Sequence, residues 1–197
     1  MATYSVGITG GIGSGKSLFS KVCVERGYLV MDADTLAKEL MSTSQIIKDA
    51  LIREFGKESY ENGVLNKAYI SQKIFKAPSL LQIINSIVHP VVIEAIREGL
   101  VNSPKKLAFA ESALIYESNF AHIFDKIVVI AADDETRIAR VIKRGAITQE
   151  QVLRIISNQI PQSEKIAQAN HVLYNNSSVE EFRESANKFL DSLEQLP

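Results

Sequence analysis

The eight residues from Gly10 to Ser17 constrain this chain more than any other stretch. They read GGIGSGKS and fit the pattern G-x-x-x-x-G-K-[ST], in which glycines let the backbone turn so that successive N–H groups face phosphate oxygens. Tyr4–Thr9 before them is typical of a short strand, and the residues from Lys16 to Arg26 are typical of a helix whose N-terminus faces the anion. The run therefore predicts a phosphate-binding loop between a strand and a helix.

The polar positions of this loop have expected roles. Lys16 would reach the terminal phosphates of a nucleotide, and the Ser17 hydroxyl would ligate a magnesium ion. The residues that we expect to hold the phosphates are Gly11, Gly13, Ser14, Gly15, Lys16, Ser17 and Leu18. A glycine-rich turn that binds nothing is the alternative. Spaced glycines together with Lys and Ser, a strand before and a helix after favour a site for a nucleoside triphosphate.

Length and charge limit the organisation and the partners of the chain. Its 197 residues, 46% of them hydrophobic, suffice for one α/β domain with an insertion. The net charge of −1 provides no positive field for nucleic acid or for an anionic membrane. We therefore expect neither as the main partner, and the sequence predicts no particular oligomeric state.

The location that the sequence favours is the cytoplasm. The first predicted strand starts almost at Met1, so no signal peptide is expected, and no apolar stretch approaches the roughly 20 residues of a membrane span. Cys23 is the only cysteine, which leaves no intrachain disulfide, and its apolar neighbours predict a position in the core.

Five apolar runs predict the strands of a sheet. They are Tyr4–Thr9, Tyr28–Met31, Leu107–Ala110, Ile127–Ala131 and His171–Tyr174. Several are continuous rather than alternating, which is typical of parallel strands buried on both faces, and helical patterns separate them. We therefore expect a three-layer α/β fold of the phosphate-loop nucleoside triphosphate hydrolase type, built on a five-stranded parallel sheet.

Residues 35–106 are too many for a simple crossover between strands. They carry helical patterns interrupted by an Asn62-Gly63 turn, and Pro90 is expected to kink or end the last helix. We predict an all-helical insertion over the carboxyl edge of the sheet, where ligands of α/β proteins bind.

Residues 145–170 form a second excursion from the alternation of strand and helix. They are polar, with helix starts predicted at Thr148 and Ser163, and are typical of a mobile lid. The remaining segments form the predicted nucleotide-binding core, which comprises residues 1–34, 107–144 and 171–197.

Two acids, Asp32 and Asp34, follow the second predicted strand. In extended chain they would point to the same side, at the sheet edge nearest the phosphate loop. A carboxylate there can accept a proton from an attacking hydroxyl or hold magnesium through water. Asp is also a preferred helix N-cap, and a helix is predicted to start here. We expect one of the pair to cap the helix and the other to act chemically.

Glu111 and His89 are weaker candidates. Glu111 directly follows the third predicted strand, where a carboxylate can hold magnesium through water or can accept hydrogen bonds from the local backbone. His89 precedes a proline in the insertion, and a structural role is the favoured interpretation.

Arg137, Arg140 and Arg144 fall on one face of the helix after the fourth strand. A neighbouring face that should dock this helix on the sheet carries Ile138, Val141 and Ile142. Three guanidinium groups that lead into the lid suit the charge that develops on a transferring phosphoryl group. A solvated basic face, partly paired with Glu135, is the alternative.

Six segments, in their order and spacing, resemble the dephospho-coenzyme A kinase family over nearly the whole chain. They are GITGGIGSGKS, DADTLAKEL, IVHPVV, SALIYE, KRGAITQEQVLRIISNQ and KIAQANHVLYNN. The phosphate loop alone fits many kinases. The Asp-Ala-Asp pair, the His-Pro of the insertion and the lid segment are much more specific.

The resemblance implies a reaction and a set of site residues. The reaction is transfer of the γ-phosphate of ATP, with Mg²⁺, to the ribose 3′-hydroxyl of dephospho-coenzyme A, the last step of coenzyme A synthesis. By position, Lys16 and Ser17 would hold phosphates and magnesium, Asp34 would be the base, and Arg144 with Arg140 would clamp the phosphates. The first acid of the pair is left to support or to cap, and residues 35–106 would receive the acceptor.

Some positions depart from the family pattern. They are Lys38 in place of Arg, Ala113 in place of Pro, Gly145 where an acid is common, and Asn170 and Tyr174 in place of acids. None lies in the phosphate loop or at Asp34 or Arg144, so the implied reaction stands. The acceptor contacts around Lys38 and residues 111–113 are left open.

Two other functions compete with this interpretation. One is a nucleoside monophosphate kinase or another small-molecule kinase of the same architecture. The other is a GTP-dependent switch, which usually carries N-K-x-D after a late strand. The Asn-Lys pair of Asn66-Lys67-Ala68-Tyr69 lacks the acid and lies in the insertion.

Overall fold

The computed structural model describes residues 3–145 and 147–195. They divide into two compact units, of which the first comprises residues 3–32, 99–145 and 147–195 and the second residues 33–98. In chain order the elements are β1 (Tyr4–Thr9), α1 (Lys16–Glu25), β2 (Leu29–Asp32), α2 (Ala33–Thr43), α3 (Gln45–Phe55), β3 (Tyr60–Glu61), β4 (Val64–Leu65), α4 (Lys67–Lys76), α5 (Leu80–Val101), β5 (Leu107–Glu111), β6 (Lys126–Ala131), α6 (Asp134–Lys143), α7 (Gln149–Ser157), α8 (Gln162–Gln168), β7 (His171–Tyr174) and α9 (Val179–Glu194). The predicted boundaries of the insertion, lid and core stay a prediction.

A five-stranded parallel sheet organises the first unit. Its strand order is β2-β5-β1-β6-β7, so each predicted strand is present within one residue of its predicted bounds. The apolar side chains of β1 and β6 are buried almost throughout, as expected for strands covered on both faces. The predicted fold class is confirmed. The carboxyl ends of β1, β2 and β5 meet at one edge of the sheet.

Helices α1 and α9 supply much of the core on one face of the sheet. Phe19 of α1 and Phe182 and Leu190 of α9 are fully buried in the same apolar cluster as Val6 and Ile8 of β1. Cys23, on α1, belongs to that cluster and is also fully buried, which confirms its predicted core position. Burial of this apolar face holds α1, and therefore the loop that precedes it, on the sheet.

The second unit is helical except for one short hairpin. Strands β3 and β4 pair in antiparallel fashion across Asn62 and Gly63, which have φ angles of 51° and 81°. Both φ angles are positive, a conformation that an Asn-Gly sequence favours in a two-residue hairpin turn. The turn was predicted correctly, but the prediction of an all-helical insertion was wrong because Tyr60 and Val64 flank that turn with residues suited to strands.

Helix α5 continues through Pro90, so of the two predicted effects of this proline the helix end is wrong and the kink stays a prediction. By length and composition this helix could also cross a membrane, so the prediction that no apolar stretch is long enough was wrong. The first 18 residues of the helix carry two charges, Glu94 and Arg97, near their end. A core helix of a soluble protein can have the same length and composition.

The two helix starts predicted in residues 145–170 are close to those observed. Thr148 caps α7 in a capping box with Gln151, as its sequence predicts. Helix α8 begins at Gln162, one residue before the predicted Ser163, because Pro161 takes the position that precedes the helix. Ala146, which falls in the predicted lid, lies outside the described residues.

Candidate active site

The loop between β1 and α1 has the backbone conformation that its glycines permit. Gly13 and Gly15 have φ angles of 78° and 104°, in the left-handed region that favours glycine, and Gly15 is the N-cap of α1. The first turn of α1 contains no acid. The positive end of the helix dipole is therefore not neutralised by a carboxylate from its own first turn, which suits an anion site.

Lys16 lies folded against this loop. Its Nζ donates hydrogen bonds to the carbonyl oxygens of Gly10, at 3.0 Å, and Gly11, at 3.3 Å. The ammonium group is thereby placed beside the backbone that would surround phosphates. The Ser17 side chain, one residue later, is exposed. Leu18 donates its backbone N–H to the Gly15 carbonyl, at 3.0 Å, as part of the first turn of α1.

Glu111 lies next to the loop at the end of β5. Its Oε2 accepts a hydrogen bond from Ser20 Oγ at 2.5 Å, and its Oε1 lies 3.5 Å from Ser17 Oγ. Burial raises the pKa of Glu111, with a smaller contribution from Asp32 on the neighbouring strand, while Ser20 and Lys16 oppose the shift. Glu111 thus accepts hydrogen bonds from the Ser17 and Ser20 side chains of α1 and not from the local backbone, as one prediction had it. Its predicted role in holding magnesium stays a prediction.

These oxygen donors fit a magnesium ion that is shared with a nucleotide. Mg²⁺ prefers oxygen ligands and usually keeps several waters and phosphate oxygens. The Ser17 hydroxyl and the Glu111 carboxylate are hard donors at one edge of the loop. Within residues 3–145 and 147–195, no three His, Cys, Asp or Glu side chains form a separate metal site. Phosphate and water would have to supply the remaining ligands.

A second set of contacts reaches the loop from the end of β7. Asn175 Nδ2 donates to the Ser14 carbonyl at 2.8 Å, and Arg140 donates to the Asn175 carbonyl at 2.8 Å and to its Oδ1 at 3.3 Å. A Cβ at Gly15 would overlap Asn175 Nδ2, so this approach requires glycine. Arg140, predicted as a phosphate clamp, thus contacts the residue that holds the loop.

A cavity of about 370 Å³ lies beside these contacts. The residues that line it are Gly15, Leu18, Arg140, Lys143, Arg144, Asn175 and Val179. It combines the start of α1, two apolar side chains and three cationic ones. Such a lining suits a ligand with an apolar ring and negative charge.

Arg137 differs from both interpretations of the arginine face. Its side chain is 3% exposed, its Nε donates to the Ile12 carbonyl at 3.0 Å, and its Nη1 pairs with Asp134 at 2.9 Å. The solvated face paired with Glu135 was therefore wrong for this residue. Burial lowers the pKa of Arg137, and Asp134 opposes that shift.

The docking face predicted for α6 is only partly present. Val141 is buried, but Ile142 is 41% exposed. The buried face of α6 includes Arg137 and not Ile142, because the Arg137 guanidinium group donates a hydrogen bond to the Ile12 carbonyl.

The paired acids do not share an extended strand. Asp32 is the last residue of β2, opposite Glu111 in the register, whereas Asp34 is the second residue of α2. The argument that both point to one side was wrong because the helix begins at Ala33. Both side chains are exposed. Asp34 opens the second compact unit, and its role as base stays a prediction.

Three positions that depart from the family pattern are used structurally. The Ala113 carbonyl accepts a hydrogen bond from the buried Lys165 at 2.6 Å, and Asn170 Oδ1 accepts one from the Ile127 N–H at 2.7 Å. Gly145 has a φ of 72° and closes the end of α6. Each of these contacts involves a backbone atom and stabilises the local conformation of the chain.

Sequence reasoning missed Asn175 and Gln159 as neighbours of the loop. Asn175 follows the last strand, and Gln159 Oε1 accepts a hydrogen bond from the Ile12 N–H at 3.2 Å. Both lie at the ends of segments that resembled the family, which was the available signal. Periodicity carries no information about such long-range polar contacts.

The parallel sheet, with a glycine loop that leads into α1, has the fold of the phosphate-loop kinases. The family model for dephospho-CoA kinase matches residues 4–181. A protein named dephospho-CoA kinase from Fusobacterium nucleatum is 32% identical over 98% of this chain and 100% of its own length. The crystal structure of TT1252 from Thermus thermophilus superposes with a TM-score of 0.82 at 30% identity, covering 98% of this chain and 99% of that one.

Another solved structure supports the fold. It is a dephospho-CoA kinase from Campylobacter jejuni, with a TM-score of 0.66 at 20% identity, covering 96% of this chain and 97% of that chain. The family match spans most of the residues, so this chain belongs to the dephospho-CoA kinase family. It is a kinase of coenzyme A biosynthesis that phosphorylates dephospho-CoA, with ATP as the donor that a kinase of this family implies.

Proposed function

We propose that this kinase transfers the γ-phosphate of ATP to the ribose 3′-hydroxyl of dephospho-CoA with the residues around Gly10–Ser17 as its donor site. The observation that carries the proposal is the loop itself, with left-handed glycines, the folded-back Lys16 and the dipole of α1 at one sheet edge. Backbone N–H groups of the loop and the Lys16 ammonium group would bind the phosphates. We expect the reaction to occur in the cytoplasm, without nucleic acid or membrane as partner.

Further roles follow from the neighbours of the loop. Ser17, with Glu111 through water, would hold Mg²⁺, which supplies charge neutralisation on the phosphates when bound. The cavity lined by Arg140, Arg144 and Leu18 would receive the nucleoside part of ATP, with the Arg144 guanidinium group turned to the phosphates. Asp34 would accept the proton of the ribose hydroxyl.

An acceptor screen tests this function. The full chain is incubated with ATP and magnesium and, separately, with dephospho-CoA, pantothenate, pantetheine and nucleoside monophosphates, and ADP release is measured. We expect turnover only with dephospho-CoA and a product that coelutes with coenzyme A. Equal or faster phosphorylation of a nucleoside monophosphate would contradict the proposal. Repeating the screen with GTP in place of ATP tests the donor.

A further inference from the structure

Both backbone polar groups of one loop residue, Ile12, are held by side chains from distant segments. Its N–H donates to Gln159 Oε1 at 3.2 Å, and its carbonyl accepts from Arg137 Nε at 3.0 Å. The peptide groups on both sides of Ile12 are therefore fixed in orientation. They lie directly before Gly13, where the chain turns through positive φ.

The loop also fits closely against Arg137. A Cβ at Gly11 would overlap the guanidinium group, and a Cβ at Gly13 would overlap the Arg137 backbone carbonyl. The guanidinium group is itself oriented by Asp134, at 2.9 Å. The first half of the loop is thus shaped by α6 as well as by its own glycines.

Gln159 is held in place independently of Ile12. It lies between α7 and α8, and its neighbour Ile160 donates a backbone hydrogen bond to Glu117 Oε1 at 3.0 Å. The same carboxylate oxygen pairs with the fully buried Lys165 at 2.6 Å. This anchor fixes the backbone next to Gln159, so its amide can act as a fixed acceptor.

We propose that Arg137 and Gln159 are positioning residues that preset the phosphate loop for the triphosphate of the donor. This rests on the proposed use of the loop as the ATP site. Neither residue needs to touch the nucleotide. By holding Ile12 from both sides, they reduce the ordering that the loop undergoes when phosphates bind, and a preordered loop binds more tightly.

The size of the effect follows from the bonds concerned. Losing one hydrogen bond costs about 1 kcal/mol, and if the loop must then be ordered by the ligand the affinity falls by up to roughly fivefold. The charge-assisted bond of Arg137 should matter more than the neutral bond of Gln159, since bonds to charged groups are about twice as strong.

Gln159→Met tests the proposal, because methionine keeps the length of the side chain but offers no strong acceptor. Gln168→Met, at an exposed position on α8, is the matched control. The measurements are the Kd for ATP without acceptor, hydrogen exchange around Ile12 in the free protein, the melting temperature, and kcat at saturating ATP. In Gln159→Met we expect a Kd raised about fivefold, faster exchange at Ile12, and kcat within about twofold of wild type.

Arg137→Met is the second variant, with Arg183→Met, which removes the ion pair of Arg183 with Glu25, as its control. A larger rise in Kd than for Gln159→Met, with Arg137→Lys partly restoring affinity, supports the proposal. Unchanged ATP affinity in Gln159→Met, or affinity lost only in proportion to a lowered melting temperature, would overturn it. A wild-type protein that binds ATP but does not phosphorylate dephospho-CoA would refute the proposed function and leave this comparison valid.

Discussion

Opposite charges, those of Lys16 and Glu111, interact beside the phosphate loop. Glu111 is buried, which raises its pKa, and Lys16 is one of the groups that oppose this shift. The serine hydroxyl contacts at Ser20 and Ser17 favour the charged carboxylate as well. Phosphates bound over Lys16 would compete with Glu111 for the same positive charge.

Lys16→Ala should remove most of the activity without unfolding the protein. The ammonium group neutralises charge that moves onto the transferring group, so its contribution is largest in the transition state. We expect kcat to fall at least about 10²-fold in the ADP-release assay. Lys21→Ala, on an exposed face of the same helix, should keep wild-type turnover. Near-normal turnover in Lys16→Ala would mean that the loop is not the catalytic phosphate site.

The thiol of Cys23 should be unreactive in the folded protein. It is fully buried, and that burial strongly raises its pKa, so the reactive thiolate is disfavoured. We expect alkylation by iodoacetamide to be undetectable under native conditions and to rise in parallel with loss of the helical circular dichroism signal in denaturant. Rapid alkylation before unfolding would show that α1 opens locally.

At the scale of elements, the end of β2 and the start of α2 decide what the two acids can do. The change from strand to helix at Ala33 places Asp32 in the sheet register and Asp34 in the first turn of a helix. A negative charge in the first turn is favourable to the helix dipole. Stability and chemistry therefore have to be separated by experiment.

Asp34→Asn should lower kcat by about 10²-fold or more and leave the Kd for ATP within a few-fold of wild type. The amide keeps the shape of the side chain but cannot accept the proton of the ribose hydroxyl. Asp32→Asn, its matched variant, should lose less activity and show a lower melting temperature or weaker dependence on magnesium. A reversed pattern would move the base to Asp32. Unchanged turnover in both would remove the acids from the reaction.

His89 on α5 should contribute to the pH dependence of stability. Burial lowers its pKa from the usual value of 6.5, so the unfolded chain binds this proton more readily than the folded protein. The stabilisation is present above the unfolded pKa and is lost as pH falls through the lowered folded value. We expect the fall in the free energy of unfolding between about pH 7 and pH 5 to be smaller in His89→Gln than in wild type.

Denaturant titrations at several pH values give that free energy. His122→Gln, at an exposed position, is the control and should follow the wild-type curve. An equally steep fall in His89→Gln and wild type would assign the pH dependence to other groups.

At the scale of the whole molecule, the phosphate loop near the start of the chain is held by residues from its second half. Arg137, Gln159 and Asn175 all bond to backbone groups between residues 12 and 14. The loop therefore reaches its final form only when these distant segments have packed. Contacts of such high sequence separation are typical of slow-forming parts of a fold.

The two helices of the predicted lid, α7 and α8, differ in burial. Residues 147–158 carry α7, whose polar face is exposed, whereas Lys165 on α8 is fully buried and paired with Glu117. We expect amides in 147–158 to exchange quickly in the free protein and more slowly with ATP and dephospho-CoA present. Amides around Lys165 should be protected in both states. No ligand-dependent change in 147–158 would contradict lid behaviour.

Sequence patterns predicted the sheet well because several of its strands are continuous apolar runs. They failed where a polar side chain has a long-range partner, since periodicity does not encode such partners. The predicted arginine face shows this: Arg137 is buried against Ile12, a contact that its spacing could not reveal. The hairpin at Asn62 was missed because two-residue strands are too short to show alternation.

The glycines with positive φ set two different limits on how this sequence can drift over generations. At Gly63 nothing lies within 4 Å of an added Cβ, so only the backbone conformation is limiting, and asparagine tolerates that conformation. At Gly15 an added methyl group would also collide with Asn175. Gly63 can therefore be replaced by a single substitution. Replacement of Gly15 by a residue with a Cβ also requires a change at Asn175. Since Asn175 also carries the contacts to Ser14 and Arg140, each intermediate ancestor would bear a loosened loop.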